Sequence, residues 1–249
     1  MIQDLRTILS GWEYEPGKIS VRKIIGQDGR EKIQTRVDLG LIQLEPRGRP
    51  DGERPHGCGS LVEYYDRRQA EIARNPAALE SLKLNSNDCR ELRREAYIFY
   101  QRYLSLFVLE DFEGVERDTA HNLRVMDLCV SYAESEEDRS ALEAQRAYVI
   151  MMNTRGRAYR MMRERQFADA MNEVEHGLEE IRTLPEEGDE PTVRPEIAVL
   201  SALQDELLKE MPADAEPKIK RDLDEALARE DYEAAAKLRD RLGRRKAAS

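Results

Sequence analysis

Cysteine and histidine are both scarce in this chain, and each shortage closes a route to function. The three cysteines, Cys58, Cys89 and Cys129, contain no C-x-x-C pair. An odd and sparse set of this kind favours free thiols in a reducing compartment over a disulfide framework. The three histidines are scattered, and only His56 and Cys58 lie close together, short of the four grouped ligands that structural zinc requires. No G-x-S-x-G, phosphate-binding G-x-x-x-x-G-K, G-x-G-x-x-G or H-E-x-x-H stands anywhere in the sequence, which removes the commonest local signs of hydrolase, nucleotide and metalloprotease chemistry. Long apolar runs are missing too: nothing approaches the ~20 residues of a membrane helix. The segment Met1–Gly17 has no basic stretch followed by a sustained apolar one, so no signal peptide is expected. A cytoplasmic protein without membrane association is the expectation.

Charge is what the chain has in abundance. Charged residues make up 36% and hydrophobic ones 40% of 249 residues, with a net charge of −10 and a pI near 5.1. Such a balance suits an elongated helical protein with much solvated surface. It argues against a general nucleic-acid binder, because phosphate neutralisation supplies most non-specific affinity.

The first sixty residues differ in texture from the rest. Ile19–Ile25 is rich in β-branched residues, Gly26–Gly29 supplies a turn, and Lys32–Val37 alternates apolar with polar. These are the marks of a β-hairpin. Leu39–Leu44 adds a third strand, with Gly40 as a bend or bulge. A loop rich in Pro, Gly and Arg follows over Glu45–Gly59. Ser60 with Glu63 then forms a capping box for a helix, and Asn75-Pro76 reads as a further helix start. From Asp88 the pattern is helical: one helix capped by Asp88 and Glu91 to about Leu109, one from Phe112 to about Tyr132, and a long one after the break Ser135–Asp138 to about Arg163. Two more run from Phe167 to near Leu184 and from Pro195 to about Glu210. The aromatic residues Tyr97, Tyr100, Tyr103 and Phe107 share one helix and are expected in its core. Composition divides the chain into a β element with its loop (1–59), a helical body (60–210) and a C-terminal hairpin (211–249).

That hairpin is the stretch that points outward. Ile219, Leu223, Ala226 and Leu227 recur at spacings of three and four, as do Ala235, Leu238 and Leu242. Each run is one apolar stripe on a helix. Between them Asp231 can cap a new helix, with Glu233 in its first turn. Two helices of this size cannot fold by burying each other alone and need a further apolar surface. The acidic turn with its aromatic (Glu230-Asp231-Tyr232-Glu233), Ala235-Ala236 and Lys237-Leu238-Arg239-Asp240 resemble the UVR motif of the excision-nuclease subunits UvrB and UvrC and of some Clp chaperone regulators. The chain as a whole resembles bacterial proteins that carry this motif. The resemblance implies a protein–protein docking element, with Leu223, Leu227, Tyr232, Ala235, Leu238 and Leu242 on the contact face and Arg239 and Asp240 at its rim. The partner would be another protein or a second copy of the chain.

A fainter likeness precedes it. The helix at Phe112 lines up with that at Phe167, so that Val115 falls on Ala170, His121 on His176 and Leu123 on Leu178. Ala158, Phe167, Ala170 and Gly177 resemble the small and aromatic positions of a tetratricopeptide repeat, although the units lie 55 residues apart where that repeat has ~34. The expected fold is therefore mainly α: antiparallel helical hairpins, a small three-stranded β element in front and the two-helix hairpin behind.

Two chemical alternatives stay beside the adaptor reading. Arg49, Arg54, His56, Gly57, Cys58, Gly59 and Ser60 lead into a helix N-terminus, where backbone N–H groups and arginines can hold an anion and Cys58 can be activated; the same residues also suit a rigid connecting loop. Arg241, Arg244, Arg245 and Lys246 either complement the last helix's dipole or touch DNA, as an accessory factor of excision repair would. No catalytic residue, metal or cofactor is expected.

Overall fold

The computed structural model describes residues 4–74, 81–185 and 194–246, and the side chains of these up to Gly243. Asn75-Pro76, most of the acidic linker and the side chains of Arg244, Arg245 and Lys246 lie outside them. The chain is mainly α-helical, with one small antiparallel sheet near its start. It forms two compact units, Met1–Asn153 and Thr154–Ser249, whose boundary falls inside one helix.

The first unit opens with a one-turn helix α1 (Leu5–Leu9), capped by Asp4 through the Arg6 amide. Strands β1 (Val21–Ile25), β2 (Glu31–Val37) and β3 (Gly40–Leu44) follow in the order β1-β2-β3, with Lys23 opposite Ile33 and Ile33 opposite Leu44. Val37 pairs with Gly40, so Asp38 and Leu39 make a two-residue turn and Gly40, expected as a bend or bulge, is the first paired residue of β3. Ile33 and Leu44 pack with Leu106 and Val115 of helices α3 (Ser86–Val108) and α4 (Phe112–Tyr132). Thr35 Oγ1 and Ser105 Oγ lie 2.6 Å apart, which adds a buried polar bond between sheet and helix. Three strands are too few to stand alone, and this is the helical surface they need.

Helix α2 (Leu61–Arg74) lays Leu61, Val62 and Tyr65 on a core shared with Cys89, Leu92, Val125, Leu128 and Cys129 of α3 and α4. The start of α3 differs from expectation. Its N-cap is Asn85, whose side chain accepts from the Asn87 and Asp88 amides while Asp88 reaches back to the Asn85 amide. Asp88 is thus the third helical residue, the reciprocal member of the capping box, and not the cap itself. The helix expected to leave directly from Ser135–Asp138 is likewise interrupted. A short α5 (Glu136–Ser140) and a 3-10 turn (Glu143–Gln145) come first, then α6 (Arg146–Arg163). The cause is Asp138, whose carboxylate collects Ser86, Arg93 and Ser135 and turns the chain back towards the start of α3.

Arg102 fixes this unit's centre. It is fully buried, holds Asp118 of α4 at 2.6 and 2.8 Å, and donates to the Glu45 and Gly48 carbonyls at 3.0 and 2.7 Å. One guanidinium therefore ties two helices to the Arg-rich loop. Its one charged partner, Asp118, is met in fork geometry, the condition under which a buried pair is tolerated.

In the second unit, α7 (Phe167–Thr183) follows the end of α6, and α8 (Pro195–Glu210), α9 (Glu216–Ala228) and α10 (Tyr232–Lys246) follow it. Ala158, Ala170, Val174 and Ile181 are fully buried, as are Leu200 and Leu207. Gly177 sits where a Cβ would come within 2.2 Å of Thr154 Oγ1, so only glycine lets α6 and α7 approach this closely.

Candidate docking hairpin and the arginine loop

The α9–α10 hairpin is built by local chemistry first. Pro217 stands in the first turn of α9, where its missing N–H costs nothing. Glu216–Lys220 at 2.9 Å, Arg221–Glu225 at 2.9 Å and Arg229–Glu225 at 3.1 Å are neighbours one turn apart on the solvated face. The guanidinium of Arg221 holds the Glu225 carboxyl below its ordinary range. The turn is a Schellman closure: Asp231 N–H donates to the Ala226 carbonyl at 2.9 Å and Glu230 N–H to the Leu227 carbonyl at 3.0 Å. Glu230 takes the left-handed conformation this closure demands, with φ 60°. Asp231 then caps α10 by accepting from the Ala234 amide at 3.0 Å.

Two other turns in the chain are built the same way. Between α3 and α4, Glu110 has φ 57° and the Asp111 amide donates to the Leu106 carbonyl at 2.9 Å; between α6 and α7, Arg165 has φ 59° and the Gln166 amide donates to the Met161 carbonyl at 2.9 Å. Each turn delivers an aromatic as the first residue of the next helix (Phe112, Phe167, Tyr232) and a buried small or apolar residue three later (Val115, Ala170, Ala235). The difference lies in the aromatic. Phe112 and Phe167 are partly covered, and Phe112 meets the Phe107 ring edge-on at 5.8 Å, whereas Tyr232 is 68% exposed.

Packing orients the rest of the hairpin. Ile219 at the start of α9 is buried, Arg221 reaches Asp205 of α8 at 3.2 Å, and Lys218 Nζ donates to the Met211 carbonyl. Ala226 and Ala235 are buried between the helices. Elsewhere on the two stripes the cover is thinner: Leu223, Leu238 and Leu242 are half-buried and Leu227 is 48% exposed. Arg239 and Asp240 are exposed and 3.6 Å apart. Arg241 Nη2 lies 3.4 Å from the Ala213 carbonyl.

The arginine loop presents a different picture. Ser60 Oγ accepts from the Glu63 amide at 3.0 Å, while Glu63 Oε2 accepts from the Gly59 amide at 2.6 Å. That bond, with Arg67 beside it, holds the Glu63 carboxyl below its ordinary range. The Leu61 and Val62 amides at the start of α2 are met by Glu95 of α3, a fully buried carboxylate at 2.9–3.3 Å. Arg49 approaches the same carboxylate at 3.5 Å and Asp51 at 3.1 Å, and His121 Nε2 lies 3.0 Å from Glu95 while stacking on Phe99. Arg54 donates to the Gly57 carbonyl, His56 adopts φ 51° and stacks on Tyr64, and Cys58 is buried. A recess of about 420 Å³ beside the loop is lined by Arg47, Arg49 and Arg54 but also by Asp28, Glu45 and Glu53.

Glu95 is the residue that sequence reasoning missed. Its signal was present: it sits on the stripe Leu92, Glu95, Phe99, where a lone carboxylate on an apolar face requires a partner. Among the described residues no group of three or more His, Cys, Asp and Glu side chains could hold a metal ion, and no helix is long and apolar enough to cross a membrane.

Residues 217–247 match the family model of the UvrB/uvrC motif, UVR. The match spans the α9–α10 hairpin. Comparisons with curated proteins and with solved structures give no match. The UVR hairpin, known from UvrB and UvrC, points to a role in protein interaction or repair.

Proposed function

We propose that the protein is an adaptor that docks another protein chain through its UVR hairpin. The observation that carries this reading is the bare Tyr232. The same turn, built with the same hydrogen bonds, leaves its aromatic partly covered at Phe112 and at Phe167 but 68% exposed here. Tyr232 and Leu227 form the centre of the contact, Leu223, Leu238 and Leu242 extend it along both helices, and Arg239 and Asp240 set register at the rim. A partner helix with an apolar stripe covers such a surface, and a second copy meets it across a two-fold axis. Tyrosine is a common anchor because it brings a large rigid face at small entropic cost.

The test uses the full chain and a Leu227→Ser/Tyr232→Ser variant, whose changes fall at exposed positions and should alter stability by no more than about 0.5 kcal/mol. Light scattering across concentration reads self-association, and capture from extract followed by titration of each captured protein reads other partners. Loss of an anchor of this kind should weaken the contact at least about tenfold. A chain that stays monomeric and retains the same proteins as the variant would defeat the reading.

A further inference from the structure

The arginine loop keeps its free donors ahead of the α2 helix start. At the N-terminus of α2 the chain's own carboxylates already take the place of an anion, Glu63 on the Gly59 amide and Glu95 on those of Leu61 and Val62. The Arg47, Gly48 and Arg49 amides meet no acceptor among the described residues. Their direction follows from peptide planarity. The Pro46 carbonyl accepts from Arg117 Nη2 at 3.3 Å and the Gly48 carbonyl from Arg102 Nη1 at 2.7 Å. Both peptide bonds are trans, so the Arg47 and Arg49 N–H groups face away from those guanidiniums. Gly48 between them has φ 67°. Successive amides in such a turn form a concave donor set suited to anions.

The charges around the recess beside this loop do not cancel. Five cations and three carboxylates line its volume of about 420 Å³. Lys32 holds Asp28 at 2.8 Å and Glu45 at 2.5 Å, and Arg49 is turned to Asp51 and Glu95. Arg30, Arg47 and Arg54 are exposed and make no ion pair among the described residues. Arg30 and Arg54 feel Asp28 and Glu63 only through longer-range fields. Of the lining carboxylates, Glu53 alone is left to face these three arginines. Two positive charges thus stand uncompensated on a chain whose net charge is −10.

We propose that this recess binds the phosphate group of a small phosphorylated compound, with Arg30, Arg47 and Arg54 as counter-ions and the Arg47–Arg49 amides as further donors. A phosphate monoester carries about two negative charges and several strong acceptor oxygens, which matches the excess charge and the donors around it. Guanidinium forks suit phosphate oxygens. The acidic remainder of the chain disfavours a polyanion, so a small ligand fits better than nucleic acid. The inference rests on the first unit alone and is independent of the docking reading.

Glycerol 3-phosphate is the probe and malonate, a dianion without a phosphate group, is its charge-matched control. Calorimetric titration of the full chain at low salt should show saturable binding of glycerol 3-phosphate, with malonate several-fold weaker. Arg47→Gln and Arg54→Gln, both at exposed positions, should each weaken it by about tenfold or more, as expected for a lost charged hydrogen bond. Arg90→Gln, exposed and outside the recess, should leave it unchanged. Glu53→Gln should tighten it several-fold, a gain that misfolding cannot produce. A single-stranded oligonucleotide should not displace the probe at equal phosphate concentration. Absence of saturable binding, malonate equal to the probe, or parental affinity in both Arg47→Gln and Arg54→Gln would overturn the proposal. So would an equal loss in Arg90→Gln, a Glu53→Gln variant no tighter than the parent, or displacement by the oligonucleotide.

Discussion

The α3–α4 and α9–α10 hairpins close with the same turn and then part company. The first has helices of 23 and 21 residues that bury Arg102, Asp118 and Glu95 between them and their surroundings; the second has helices of 13 and 15 residues with surface ion pairs such as Arg221–Glu225 and Lys237–Glu233, and its Tyr232 and Leu227 are exposed. A Schellman closure needs only a few local hydrogen bonds and one left-handed residue, so it forms wherever the sequence permits. What happens to the aromatic it delivers depends on whether other elements arrive to cover it. Turn chemistry sets the path of the chain, and neighbours set what stays exposed.

Four substitutions probe that contrast. Asp118→Ala should have the largest effect, because it leaves Arg102 charged and enclosed; a loss of about 3–5 kcal/mol is expected. Urea unfolding followed through Trp12, the single tryptophan, reports this unit, and its midpoint should fall. A midpoint that holds would mean the guanidinium finds water or another partner.

Gly177→Ala comes next and tests the intermediate α6–α7 hairpin. Helix propensity favours alanine by about 1 kcal/mol, but forcing a Cβ against Thr154 costs about 2–3 kcal/mol at so short an approach, so a net loss of about 1–2 kcal/mol is expected. Adding Thr154→Ala should recover most of it in a double-mutant cycle. A single variant as stable as the parent would show that the two helices separate freely.

Glu230→Gly should act in the opposite direction. A glycine relieves the left-handed residue at the UVR turn, by about 1 kcal/mol, and should slow amide exchange in α9 and α10 several-fold. Exchange left unchanged would mean that the hairpin opens without undoing its turn.

Acid gives a shallower response. Hydrogen bonds from Arg93, Ser86 and Ser135, in that order of weight, hold the Asp138 carboxyl at about 2, below its ordinary 3.8. Because the folded value is depressed, the stabilisation is complete above pH ~3.8 and is lost as pH falls through about 2. Asp138→Asn should flatten this limb of a pH titration read at Trp12, while exchange in α10 at the same pH should not respond. An Asn variant with the parent's acid profile would remove Asp138 from the account.

Much of the fold was legible because its signals are local. The β-branched runs around Gly26–Gly29, the proline opening α8 and the aromatics at Phe112, Phe167 and Tyr232 marked element starts to within a residue or two. What failed was long-range. Asp88 and Asn85 are equally good caps by type, and Asp138 looks like one more surface acid until Arg93 and Ser86 come to meet it. In a chain with 36% charged residues, buried Arg102, Asp118 and Glu95 are camouflaged among solvated ones. Of the docking face, periodicity located the stripe but not its cover: Ile219 and Leu227 share it, yet one is sealed and the other open.

The thiols carry a last consequence. Cys58, Cys89 and Cys129 all lie in the first unit, are shielded from solvent, and none falls in the second. Burial pushes the Cys89 thiol up and the Cys129 thiol up to about 12, so an alkylating reagent needs the unit to open before it finds a nucleophile. The protein thus carries a built-in clock: its rate of alkylation counts openings of residues 1–153 and is blind to whatever the hairpin does. A single cysteine grafted beside Tyr232 would give the other half its own timer, and the two halves could be heard separately in one sample.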